Sequence, residues 1–512
     1  MANSISELAG KPFPYTPTTI EHLLIEAAKA NGNRIAVASL HQPHDLLSAA
    51  QDKSVAYFRW TYAELHAGAR LLAASLQRKG LRKGDKIAVF IHNSAEWAVL
   101  FWASMLAGCA LILVQPRVAT NATELGHILK LTKPKAVVAW DVELVEHLQA
   151  SASRAMRMIP VRLVCGATDA IPRPWMLFRS LFDARSSTGD IETPNVLSTA
   201  DDPTIVLFTS GTTGLPKGCV HTNKTLTSMA RNHADSLGLD HSASSVSHLS
   251  LAHCFGMLYS VSFWISGGKV VYPNGSYDAV STLQALKQED CSHMPAVPSL
   301  LYSLTDAAAL DARDFASLRH VELSGTMASP EVMDLARTRL GARIVSVHYG
   351  MTESGPAVAW PSAQVHQSCE KDVVSPGFPV RGGMIRICAP GSRTPLPRGK
   401  LGEIHQSSPS LIASYLGAHE ESAFYSDEAG SWYITGDQGV MLQSGEVCVT
   451  GRYKELIIRG GENVSPAQME TVLNCRKGLE VRLTYKSIRQ VTDIAHRYVL
   501  LALLMICWVR SL

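Results

Sequence analysis

Residues 208–220 read FTSGTTGLPKGCV and continue the apolar run TIVLF, residues 204–208. A buried strand candidate that empties into hydroxyls, glycines, a proline and one lysine carries more than a turn needs. Glycines expose backbone N–H groups, serine and threonine add hydroxyl donors, and Lys217 adds a cation; together these are the donors a phosphate group requires. The Walker A pattern G-x-x-x-x-G-K-(S/T) sets glycine directly before the lysine and a hydroxyl directly after it. Here Gly211 and Gly214 precede Lys217 at other spacings and Gly218 follows it, which argues against a P-loop NTPase while keeping a phosphate site.

Working outward, residues 61–79 (TYAELHAGARLLAASLQRK) repeat apolar positions at helical spacing and stop at Gly80, and residues 86–91 (KIAVFI) make a short buried strand. A helix over 96–106 leads through Gly108 into the strand ALILVQ. KAVVAW, TIVLF and ARIVSVHYG repeat the theme of an apolar run ending in a small-residue turn. Alternating strands and helices predict parallel sheets covered by helices, with ligands binding just past the strand ends. From Pro376 the chain changes to short alternating stretches with frequent Gly and Pro, which predicts a small β-rich subdomain.

The expected fold is therefore α/β. A large domain of parallel-rich sheets spans 1–450 and includes the β-rich part at about 376–450, and a small α+β domain spans 451–512. SPAQMETVL, residues 465–473, has the form of a helix start with Ser465 as N-cap and Pro466 at the first helical position.

Composition bounds the function. A chain of 512 residues, 46% apolar and 18% charged, is an ordinary globular protein of more than one domain. A net charge of +3 is too small to make nucleic acid or an anionic membrane the main partner. Ten cysteines without a C-x-x-C pair indicate neither a zinc site nor a disulfide framework. The N-terminus lacks a basic segment followed by an apolar core, so an intracellular location, cytoplasmic or peroxisomal, is expected, although no clear C-terminal peroxisomal signal is present. The apolar run YVLLALLMICWV, residues 498–509, falls short of the roughly 20 residues of a spanning helix.

The glycine- and threonine-rich loop resembles, nearly residue for residue, the (S/T)-S-G-(S/T)-T-G-x-P-K-G signature of the AMP-forming adenylating enzymes, the superfamily of acyl-CoA synthetases, luciferases and peptide-synthetase adenylation domains. Further stretches resemble that family in its own order: AHCFGM (252–257), LSGTMASP (323–330), YGMTES (349–354), YITGDQG (433–439), GRYKELI (451–457) and GGEN (460–463). The resemblance covers residue 14 to about 473, and it is most like a stand-alone acyl-CoA ligase. In LSGTMASP, Thr326 and Met327 stand where Gly or Ala and Pro are commoner.

The resemblance implies the site. Thr209, Ser210, Gly211, Thr212, Thr213, Gly214 and Lys217 would hold the phosphates of ATP. Ser324, Gly325 and Thr326 would lie against adenine with Tyr349, Gly350 and Met351; Thr352 would reach phosphate, and Glu353 would hold Mg2+. Asp437 would accept hydrogen bonds from the ribose hydroxyls, and Arg452 would contact ribose or phosphate. His253 and Gly350 would border the acyl pocket, and Lys454 would be a hinge. The implied reaction joins a fatty, aryl or other hydrophobic carboxylic acid to ATP, giving an acyl adenylate and pyrophosphate, and then to the thiol of coenzyme A with release of AMP.

Beyond Leu473 the match stops. The family's P-x-(S/T)-x-(S/T)-G-K-like motif, whose lysine bridges acid and ATP, is absent, and Lys477 and Lys486 lack its surroundings. A truncated or wrongly translated end is the expectation drawn from this tail. A catalytically impaired nucleotide- or acyl-binding protein is the alternative it motivates.

Overall fold

The computed structural model describes residues 5–47, 55–166, 171–182, 197–209, 214–307, 311–360, 369–370, 373–417, 423–453, 457–459 and 462–464. The phosphate-loop residues Ser210 to Thr213, the hinge candidate Lys454 and the whole tail from residue 465, including the expected helix SPAQMETVL, lie outside them.

Among the described residues three large sheets form. The first runs Lys217–Thr222, Pro203–Thr209, Ala110–Leu113, Lys86–Phe90, Ala136–Ala139, Val161–Val164 and Met176–Leu177 in space, parallel except for the hairpin at its edge. The second has nine strands. Its interior, from Ile344–Met351 through His320–Leu323, His293–Ala296, Ser244–Val246 and Lys269–Tyr272 to Ile35–Pro43, is parallel. The third is antiparallel and built from Met384–Cys388, Gly402–Ser407, Phe424–Asp427, Gly430–Met441 and Val447–Arg452, joined at its edge by Glu7–Ala9. The α/β fold with parallel-rich, helix-covered sheets is as expected.

The helices form where their sequences direct. Thr61 caps Tyr62–Arg78 in a capping box with Glu64, and the helix ends at Lys79 before Gly80, whose φ of +97° a side chain would resist. Ala95–Ala107 is capped by Ser94 and closed by Gly108 in the left-handed region, and every residue in it is buried. A helix apolar on all sides belongs inside a core. Its Trp97 stacks on Trp264 of the helix Cys254–Ile265 at 6.0 Å. One continuous core takes in both helices together with strands of both parallel-rich sheets, so the two sheets are welded through helices and not through a linker. No helix among the described residues is long and apolar enough to cross a membrane.

Candidate functional site

A cleft of about 810 Å³ opens where the three sheets meet. Its walls come from the C-terminal ends of parallel strands and from three strands of the antiparallel sheet: Thr209 ends Pro203–Thr209, Ser324 and Gly325 follow His320–Leu323, Tyr349 to Glu353 end and follow Ile344–Met351, Glu403 lies in Gly402–Ser407, Asp437 lies in Gly430–Met441, and Arg452 ends Val447–Arg452. Lys217, His253, Gly350, Met351 and Thr352 also line it. Residues as far apart in the chain as Phe208 and Arg452 are thus gathered by strand ends. Gly214 and Thr326 are exposed and do not line it.

The phosphate-loop candidate spans a hairpin. Thr209 and Lys217 are cross-strand partners, so the lysine begins the return strand Lys217–Thr222. The loop differs in this from a Walker loop, which ends in a helix. Gly218 is close-packed, since a Cβ there would meet Leu416 at 3.2 Å and the Phe208 ring at 3.3 Å.

Asp437 is the best-organised group. It is buried; Tyr349 donates its hydroxyl to Oδ2 at 2.7 Å, and Arg452 donates Nε to Oδ1 at 2.7 Å. Strand pairing causes this, because Asp437 and Arg452 are register partners. Gly436, at φ +75°, turns the backbone just before the carboxylate. Burial first, then the Asp437 charge, push the Tyr349 phenol far up, so it stays protonated and donates. Each carboxylate oxygen keeps a second lone pair for a further donor.

Glu353 is also buried and accepts from the hydroxyls of Tyr415 and, at 3.4 Å, Tyr433, which contact each other at 2.8 Å. The Lys217 ammonium sits 4.6 Å from the Tyr415 ring centre. Burial, reinforced by the Glu353 charge, drives both phenols well above the ordinary tyrosine range. Tyr415 therefore links the lysine to the carboxylate. His253, at the start of Cys254–Ile265, contacts the side chain of Gln115, which in turn accepts from Arg117. Desolvation in the cleft, then the Arg117 charge, lower its pKa.

Two groups escaped sequence reasoning. Tyr415 lies in no motif, and Tyr433, though it opens YITGDQG, has no role that the spacing reveals. More telling is a polar row on one face of the nine-stranded sheet: His293, His320, Glu322, Ser346 and His348 alternate with Met294, Val321, Val345 and Val347, which face a second apolar core. All five polar residues are buried, and Glu322 and His348 line the cleft together with His233. The signal in the sequence was the period-two polarity of HVEL and IVSVHYG, which ordinarily marks a solvent-facing strand.

The family described as AMP-binding enzyme matches residues 25–416. The chain is 26% identical over 420 residues to 4-coumarate–CoA ligase 1 of Petroselinum crispum, covering 81% of this chain and 74% of that protein. It is 28% identical over 423 residues to medium-chain fatty-acid–CoA ligase of Escherichia coli (strain K12), covering 81% and 71%. Among solved structures, ATP-bound MatB from Rhodopseudomonas palustris superposes with a TM-score of 0.73 at 24% identity, covering 90% of this chain and 84% of that one, which establishes the common fold.

Proposed function

The chain belongs to the AMP-binding enzyme family, and on that premise we propose that it activates a hydrophobic carboxylic acid with ATP and passes the acyl group to coenzyme A. It is an AMP-forming ligase. A carboxylate oxygen of the acid attacks the α-phosphorus of ATP in line, the bond to pyrophosphate breaks, and an acyl adenylate results. A thiol then attacks the activated carbonyl, and AMP leaves.

The observation that carries this reading is the joint placement of Asp437 and Lys217 on one cleft. Asp437, already held by Tyr349 and Arg452, has the remaining lone pairs to accept both ribose hydroxyls. Lys217, propped by Tyr415, supplies positive charge for the departing phosphates, and preorganised charge of this kind is a large term in such reactions. Glu353, a cleft-lining oxygen donor, fits a hard cation, so with substrate phosphates it would hold Mg2+, which offsets phosphate charge. Thr352 is positioned through its carbonyl, which accepts from His221 Nε2 at 2.8 Å.

The acid would enter beside His253, where Leu249, Phe255, Leu258, Val297 and Pro356 give the cleft apolar walls. Names of relatives support coenzyme A as the acceptor and aryl or fatty acids as substrates. The test is hydroxylamine trapping of the adenylate across a panel of aryl and alkyl acids with ATP. Hydroxamate formed only with acid and ATP together supports the reading; none with any acid, despite measurable ATP binding, would sink it.

A further inference from the structure

The face of the nine-stranded sheet that meets the helices Asn223–Leu237 and Cys254–Ile265 should be apolar, because burying unpaired polar groups is costly. Instead it carries a connected polar row. His233 Nε2 lies 2.9 Å from Glu322 Oε2, and its Nδ1 lies 2.9 Å from Ser262 Oγ. On the other side His348 Nδ1 lies 2.7 Å from Glu322 Oε1, and Ser346 Oγ is 3.3 Å from His348 Nε2 and 2.7 Å from His320 Nε2. Burial would raise the Glu322 carboxyl, but His348 and His233 overcome this and hold it below the ordinary range, as an anion.

The row is not closed. Although His348 Nδ1 is near Glu322 Oε1, it lies outside hydrogen-bonding geometry and has no such partner, while the residue is only 4% exposed. Glu322 and His348 both line the cleft. A donor without a bond and a carboxylate with spare lone pairs therefore stand together at the wall of the cleft, which Leu249, Phe255, Leu258 and Val297 also line. A hydroxyl matches this pair: its hydrogen is donated to Glu322, and its oxygen accepts from His348 Nδ1–H.

Resting on the reading of this cleft as an acyl pocket, we propose that Glu322 and His348 form a specificity site for a hydroxyl carried by the acid away from its reacting carboxyl. A methyl in its place would leave His348 Nδ1 without a hydrogen bond and would bury the spare lone pairs of Glu322, whose bond from His233 remains. Rejection of such isosteres is strong because the polar groups of the protein, not of the ligand, bear the loss.

The test uses sulfamoyl-adenosine conjugates, which occupy an adenylate site without turnover. Paired conjugates of para-hydroxyphenylpropanoate and para-methylphenylpropanoate, and of ω-hydroxy and methyl-terminated hexanoate, would be titrated calorimetrically into the full chain. The hydroxylated member of at least one pair is expected to bind about tenfold to a hundredfold tighter, as a hydrogen bond to a charged group implies, and Glu322→Leu should abolish that preference. Equal or weaker binding of both hydroxylated members would overturn the inference and leave the adenylate site intact. Failure of every conjugate to bind would overturn the adenylate reading itself, and this inference with it. Because His233, Glu322 and His348 offer ligand atoms within 4.8 Å of one another, stoichiometric zinc in the purified protein that is lost in Glu322→Gln would also overturn it. If Glu322→Leu does not fold, the wild-type pairs alone decide.

Discussion

At the scale of single residues, Asp437 joins the strand geometry to the chemistry. Two bonds fix its carboxylate before any ligand arrives. Removal of the side chain in Asp437→Ala should weaken ATP and AMP binding by at least about a hundredfold, since hydrogen bonds to a charged acceptor contribute about 1.5–3 kcal/mol each; calorimetric titration would check this. Tyr349→Phe keeps the ring and loses one bond, so its effect should be the smaller, about tenfold or less. Tyr415 gives a sharper contrast. Tyr415→Phe retains the ring under Lys217 but removes one of the two hydroxyls that donate to Glu353, whereas Tyr415→Leu removes the ring as well. Adenylation rates should fall in the order wild type, Phe, Leu, and a Phe variant slower than the Leu variant would contradict the role given to the ring.

Among elements, the hairpin Ile344–Met351 with Gly355–Ala359 decides where Thr352 and Glu353 sit. A bulge between Tyr349 and Gly350 re-aims the chain, and a Cβ on Gly350 would come within 2.5 Å of the Gly355 carbonyl oxygen. Gly350→Ala should therefore lower the melting temperature and reduce nucleotide binding together, because the hairpin must open to admit the methyl. The elements were readable to unequal degrees. Tyr62–Arg78 declared itself through its helical spacing and Gly80, and Ala95–Ala107 through an apolar stretch, interrupted by Glu96 and Ser104, that ends at Gly108. The motif YGMTES pointed to a strand end that lines the cleft, yet the contact of Tyr349 with Asp437 depends on two sheets meeting, which no spacing reports. The polar face containing Glu322 and His348 was misleading in sequence for a physical reason: alternation marks which residues share a face, not whether water or a helix covers it. Thr326, expected beside the nucleotide, is exposed because the turn after Gly325, at φ +85°, carries it away from the wall.

For the whole molecule, burial of histidines ties stability to pH. His221, His248 and His293 are held down to about 4 and His320 to about 3, in each case mainly by burial. Unfolded, all four would titrate near the ordinary 6.5. A depressed folded pKa means that the unfolded chain binds protons first on acidification, so the stability these groups contribute is complete above about pH 6.5 and is lost as pH falls toward 4. Each such group contributes a slope of up to about 1.4 kcal/mol per pH unit. Melting temperatures should fall steadily from about pH 6.5 to pH 5, before carboxylates begin to titrate, and His248→Leu should shallow that slope. A flat profile across this window would count against the burial of these side chains.

In the proposed reaction one cleft would hold a nucleotide and an acid so that the second attacks the first. Exchange of labelled pyrophosphate into ATP by the purified 512-residue chain reports that step without requiring the thiol. If one cleft serves both substrates in this way, exchange should depend on added carboxylic acid and drop by about a hundredfold or more in Lys217→Ala while that variant still binds AMP. Exchange that is absent with every acid although ATP binds, or that persists undiminished in Lys217→Ala, would contradict it.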